Sequence, residues 1–154
     1  MAGLKRQLNT ERKSVTPTIK ITGAYTQYDV VGGAMSLVTG GDITLRQVLL
    51  QDDGDQKEAY KLYFFRADPA IADDAAFAPT DAELDDLAAT ISITASNYDE
   101  WGGANTVADV HDLNVEIVGA TTFYVYAVAQ ATPDHSAGAA TDLTFQFIYF
   151  THKG

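Results

Sequence analysis

The chain contains no cysteine, which excludes disulfide stapling and thiolate metal sites and fits assembly in a reducing compartment. Basic residues are scarce, 10 Lys and Arg against 21 Asp and Glu, for a formal net charge of −11 over 154 residues. A body this acidic repels phosphate backbones and anionic lipid, arguing against nucleic-acid and membrane-surface roles. No apolar run approaches the ~18 residues needed to cross a bilayer. The opening MAGLKRQLNTERKS lacks the apolar segment of a secretory signal. Histidine is rare as well. His111, His135 and His152 show no HExxH spacing and are expected to be solvated.

What is present describes one soluble globular domain, with 46% hydrophobic residues and mean hydropathy near zero. Residues 43–69, ITLRQVLLQDDGDQKEAYKLYFFRADP, organise the chain. Two period-two segments rich in branched and aromatic side chains flank a polar turn whose Gly54 suits a positive φ, the pattern of an antiparallel hairpin. Large apolar groups on both faces point to central strands.

Elsewhere, residues 15–22 alternate as a first strand, with Pro17 favouring an edge position. A short strand is expected at 35–38 after Gly32-Gly33, and further strands near 90–95, 107–110, 113–118, 121–130 and 143–149. In the last, Leu143, Phe145, Phe147 and Tyr149 share one side. Thr80 and Glu83 form a capping box, predicting a helix of about two turns that ends near Ala89 with Leu84 and Leu87 inward. The expected fold is mainly β, an antiparallel β-sandwich of jelly-roll or Greek-key type with one short helix.

Charge is unevenly placed. Residues 1–14 form a basic N-terminal arm carrying Lys5, Arg6, Arg12 and Lys13 against Glu11, net +3, which leaves −14 for the domain of residues 15–154. The arm reads as a solvated tail or as an element that docks on an acidic partner or another copy.

No catalytic constellation stands out. None of the five serines lies in a GxSxG context, and the Gly-Gly pairs precede neither Lys-Ser/Thr nor a helix. With so many acids, a glycosidase-like carboxylate pair is always available and so carries no information. Asp52, Asp53 and Asp55 around Gly54 pose a calcium-loop question, although an ordinary acidic turn accounts for them. Tyr98 and Trp101, beside Asp99 and Glu100, fit a sugar-stacking platform or a buried loop anchor and protein contact equally well.

Three segments carry a family resemblance: ITGAYTQYDVVGG (21–33), LRQVLLQDDGDQKEAYKLYFFRADP (45–69) and FAPTDAEL (77–84). Their order resembles the capsid decoration, or cement, proteins of some tailed phages: Ala-Tyr-x-x-x-Asp-Val-Val-Gly, a hairpin without catalytic residues, an aromatic-aromatic-x-x-Asp-Pro corner and a short acidic helix. The resemblance implies a β-rich, non-enzymatic protein, without cofactor or metal, made in the host cytoplasm. It would sit on the outer capsid surface and clamp neighbouring copies of the major capsid protein, commonly as a homotrimer. The contact elements expected on that reading are Lys5, Arg6, Arg12 and Lys13 of the arm and the loop with Tyr98 and Trp101. A carbohydrate-binding module in host attachment is the alternative reading, and an acid-pair hydrolase a distant third.

Overall fold

A computed structural model of the protein describes residues 9–99 and 105–152. Among these are nine strands: β1 (Asn9–Val15), β2 (Val30–Val38), β3 (Ile43–Asp52), β4 (Tyr60–Phe65), β5 (Leu87–Ile93), β6 (Thr106–Val110), β7 (Val115–Ile117), β8 (Thr122–Ala129) and β9 (Leu143–Thr151). A one-turn helix, α1 (Asp81–Leu84), precedes β5.

All pairings are antiparallel and fall into two sheets, β1-β9-β3-β6 with β7 also on β3, and β2-β8-β4-β5. β6 pairs with residues 48–52 of β3 and β7 with residues 43–45, so the two behave as one broken strand. The break coincides with a bulge in β3 at Arg46, whose carbonyl accepts the Leu113 N–H at 3.0 Å. Counted that way, first strand pairs with last, second with next to last, and so inward: a long hairpin rolled into a two-sheet sandwich. That is the jelly-roll order.

The central hairpin does not form. β3 and β4 are both central strands, as their two-sided bulk predicts, but they lie in different sheets. The connection between them is a corner, held by Asp52. Its buried carboxylate accepts N–H groups from Gly54 (2.9 Å), Gln56 (2.8 Å) and Lys57 (3.2 Å), turning the chain away from its own strand. The positive φ angles fall on Asp55 and Lys57 rather than Gly54.

The first strand is also displaced. Residues 16–22 are irregular, and β1 begins at Asn9, so the second half of the basic arm is an edge strand on β9. Its register places Glu11, Lys13 and Val15 opposite the core residues Tyr149, Phe147 and Phe145. A strand with one neighbour and little burial lacks the apolar alternation that marks strands in a sequence. Pro17, with no N–H to donate, is buried just beyond its end. It packs where a side chain on Gly32 would stand; Gly32 and Gly33 take positive φ at the bulge that lets β2 span residues 30–38 unbroken in outline.

The capping box on Thr80 and Glu83 is present, but the helix stops at Leu84, which is exposed. Leu87 instead enters β5 opposite Phe65, because the Arg66 N–H is already bonded to Asp86 O.

The main core lies between the sheets, with Phe64 of one and Phe147 of the other meeting edge to face at 5.8 Å. A second cluster sits on the outer face of the β2-β8-β4-β5 sheet, where Val30, Phe65 and Tyr126 are buried under Ile71 and Phe77. Residues 66–80 supply that cover and are tied down by Val30 N–H to Ala75 O (2.8 Å) and Phe77 N–H to Tyr28 O (2.9 Å). This explains bulk on both faces of β4 and β8. No helix among the described residues is long and apolar enough to cross a membrane.

Candidate functional site

The jelly-roll winding brings four connections to one end of the sandwich: β1–β2, β3–β4, β5–β6 and β8–β9. They are laced together. Ile19 N–H bonds Ala140 O (3.0 Å), Tyr25 N–H bonds Pro133 O (2.9 Å), and Gln130 N–H bonds Ala59 O (2.9 Å). The Tyr98 hydroxyl donates to Glu58 O at 2.7 Å, and Asp134 N–H donates to Gln56 Oε1 at 3.3 Å.

Between the β3–β4 and β8–β9 connections lies a half-open depression of about 410 Å³. Its wall carries the carboxylates of Asp53, Asp55, Asp134 and Asp142 together with His135 and Gly54. His135 is only 2% exposed. Its Nε2 is 3.5 Å from the hydroxyl of the fully buried Tyr60, while Nδ1 has no hydrogen-bond partner. A Cβ on Gly54 would stand 3.3 Å from each of His135 Nδ1, Asp52 Oδ1 and Asp142 Oδ2, so these three groups crowd the glycine. Gly138 is more tightly constrained, since a methyl group there would overlap the Asp142 carboxylate.

The electrostatics follow from burial and from bonds already made. Burial lifts the Asp52 carboxyl above its ordinary value, and the N–H groups of Lys57, Gln56 and Gly54 and the neighbouring imidazole restrain the rise. Exposed Asp134 moves the other way because Ser136 donates to it from both side chain and backbone. Burial pushes the Tyr60 and Tyr98 hydroxyls well above 10, so both remain protonated in water.

Calcium chemistry does not fit the Asp52, Asp53 and Asp55 turn. Asp52 points inward and spends both oxygens on the backbone, Asp53 accepts from Gln51 Nε2 at 2.8 Å, and Asp55 faces Lys57 Nζ at 3.6 Å. Among the described residues no three His, Asp or Glu side chains are grouped to hold a metal ion.

Of the residues expected to make contacts, Lys5, Arg6 and Trp101 lie outside the described residues. Arg12 donates Nη1 to Gln146 Oε1 (3.2 Å) on the outer face of β1 and β9, and Lys13 is exposed on the same strand. Tyr98 is 6% exposed and belongs to the core, so its ring offers no stacking face.

Of the histidines, His111 is exposed beside Asp109 and Asp112, and His152 bonds Thr44 Oγ1 at 2.6 Å. The expectation of three solvated histidines fails at His135. No local pattern marked it, because a polar loop reads as solvent until the topology folds it onto Tyr60. The segments that carried the family resemblance turn out to be mainly structural. Buried Tyr25 accepts from Lys20 N–H (2.6 Å) and donates to Asp73 (2.8 Å), buried Asp29 caps Thr26 N–H (2.8 Å), and Asp68 accepts from the Tyr126 hydroxyl. The chain matches no protein-family model, no curated protein and no solved structure.

Proposed function

We propose that this is a non-enzymatic structural protein of a phage virion, a decoration protein that binds the outer capsid surface and bridges copies of the major capsid protein, as a homotrimer. The observation that carries the reading is β1, which sets Arg12 and Lys13 on an outer strand of the sandwich in an otherwise acidic molecule. An edge strand offers unpaired backbone groups to a partner strand, and flanking basic side chains select an acidic one. The laced loops and the second, outer core support a rigid clamp, because a bridge that yields under strain adds little to the stability of a shell. Jelly rolls serve in virion proteins and also in lectins, so the fold class is an analogy that the site must carry.

The test is co-sedimentation with purified heads that lack the protein. Saturable binding at a symmetric number of copies per head is expected. The pair Arg12→Glu and Lys13→Glu should weaken it roughly tenfold, about 1.4 kcal/mol, with the circular dichroism spectrum unchanged. Binding indifferent to that reversal would remove the role assigned to β1, and no binding to expanded heads would remove the decoration reading. The carbohydrate alternative is weaker because Tyr98 is spent on the core. A glycan array signal abolished by Trp101→Ala would revive it.

A further inference from the structure

Four carboxylates around a buried imidazole with an unpartnered nitrogen form a site that the decoration role does not use. We propose that the depression between the β3–β4 and β8–β9 connections binds an organic cation, a guanidinium or primary ammonium group. Asp53, Asp55, Asp134 and Asp142 line it, and against these four acids the described residues set Lys57 beside Asp55 and Lys20 at longer range from Asp134, so the excess of negative charge repels an anionic ligand. A bare metal ion is disfavoured by what the oxygens already do. Asp134 accepts from Ser136 N–H (2.9 Å), Asp142 from Ala139 N–H (3.0 Å), and no tight three-residue set remains. A guanidinium suits such dispersed acceptors, because its five N–H donors spread over a plane and need not be gathered within bonding distance of one point. At the floor, the tautomer with Nε2–H toward the Tyr60 oxygen leaves His135 Nδ1 a buried, bare acceptor packed against Gly54. The volume of about 410 Å³ is small for a drug-sized ligand and ample for an arginine or lysine side chain.

That cation has two sources, a basic side chain of another chain or a small free molecule. Lys5 or Arg6 of a second copy is the nearest instance of the first. β1 runs antiparallel to β9 with Asn9 opposite Thr151, so Asn9 stands at the end of the sandwich away from Asp142.

The experiment is an NMR titration of the isotope-labelled full chain with N-acetylarginine amide, and in parallel with neutral N-acetylcitrulline amide. Saturable shifts at Gly54, His135 and Gly138 are expected with the first and not the second, in wild type or, where a second copy's arm already fills the site, in Lys5→Ala, Arg6→Ala. The double variant Asp55→Asn, Asp134→Asn keeps the shape of both side chains while removing two charges, and it should weaken binding roughly tenfold or more with the circular dichroism spectrum unchanged. No saturable shift in either wild type or Lys5→Ala, Arg6→Ala, an equal response to citrulline, or shifts from calcium ions but not arginine would overturn the proposal. Light scattering of wild type and of Lys5→Ala, Arg6→Ala separates the sources. If the arm of a second copy fills the site, wild type is assembled, both double variants are monomeric, and the arm variant gains the arginine response. A monomeric wild type that already responds points to a free cation or another protein. An assembled wild type with a silent pocket in the arm variant would overturn the proposal.

Discussion

At the scale of single residues, Asp52 sets the corner on which the two sheets part. It is fully buried, and three backbone N–H groups depend on its carboxylate. Asp52→Ala leaves them unsatisfied and should cost about 3 kcal/mol in urea denaturation. Its titration has an opposite sign to that of most structural aspartates. Because the folded value lies above the ordinary 3.8, the folded protein takes up this proton before the unfolded chain does. The stability it contributes is therefore complete below 3.8 and lost as pH rises through the folded value. The stability gap between wild type and Asp52→Asn should widen as pH is lowered into that window. A narrowing gap would mean that the N–H bonds outweigh burial. Gly138→Ala, which drives a methyl group into the Asp142 carboxylate, should cost roughly 2 kcal/mol. None of this was legible in the sequence. An aspartate in a run of polar residues looks the same whether it faces water or holds a corner, and only the partner loop, far along the chain, decides.

At the scale of elements, the strands themselves were largely legible, because β3, β4, β8 and β9 carry strong period-two patterns and Phe145, Phe147 and Tyr149 do face the core. Their partners were not. Residues 43–50 and 60–66 looked like one hairpin since proximity in sequence usually means pairing, but a seven-residue connection closed by Asp52 allows the chain to change sheets. β1 was hidden for the reason that it is useful. On its core side the open edge carries Glu11 and Lys13, charges that oppose the docking of another sheet. Replacing both with valine should raise self-association in light scattering while leaving secondary structure intact. The outer cover of residues 66–80 rests on Phe77, whose ring lies 4.3 Å from Tyr63 and 6.2 Å from Phe65. Phe77→Ala should lose roughly 2 kcal/mol and bind a hydrophobic dye, since it uncovers one face of a sheet while the main core survives.

At the scale of the whole molecule, a net charge of −11 on one small sandwich repels itself. Melting temperature should rise between 20 and 300 mM salt as screening shortens the reach of that repulsion to roughly 6 Å. The pairing of β1 with β9 has a different consequence, one for synthesis. β9 lies between β1 and β3 and is made after every other strand, so the sheet that contains it has no middle until its residues emerge from the ribosome. β4, β5 and β8 can zip together earlier, while β1 and β3 wait with open edges for everything between Asp52 and Leu143 to be made. At ~5–20 residues per second that wait is on the order of several seconds. Closure of this fold thus waits for β9, and the half-built chain relies on its own negative charge to keep ribosome-bound neighbours apart.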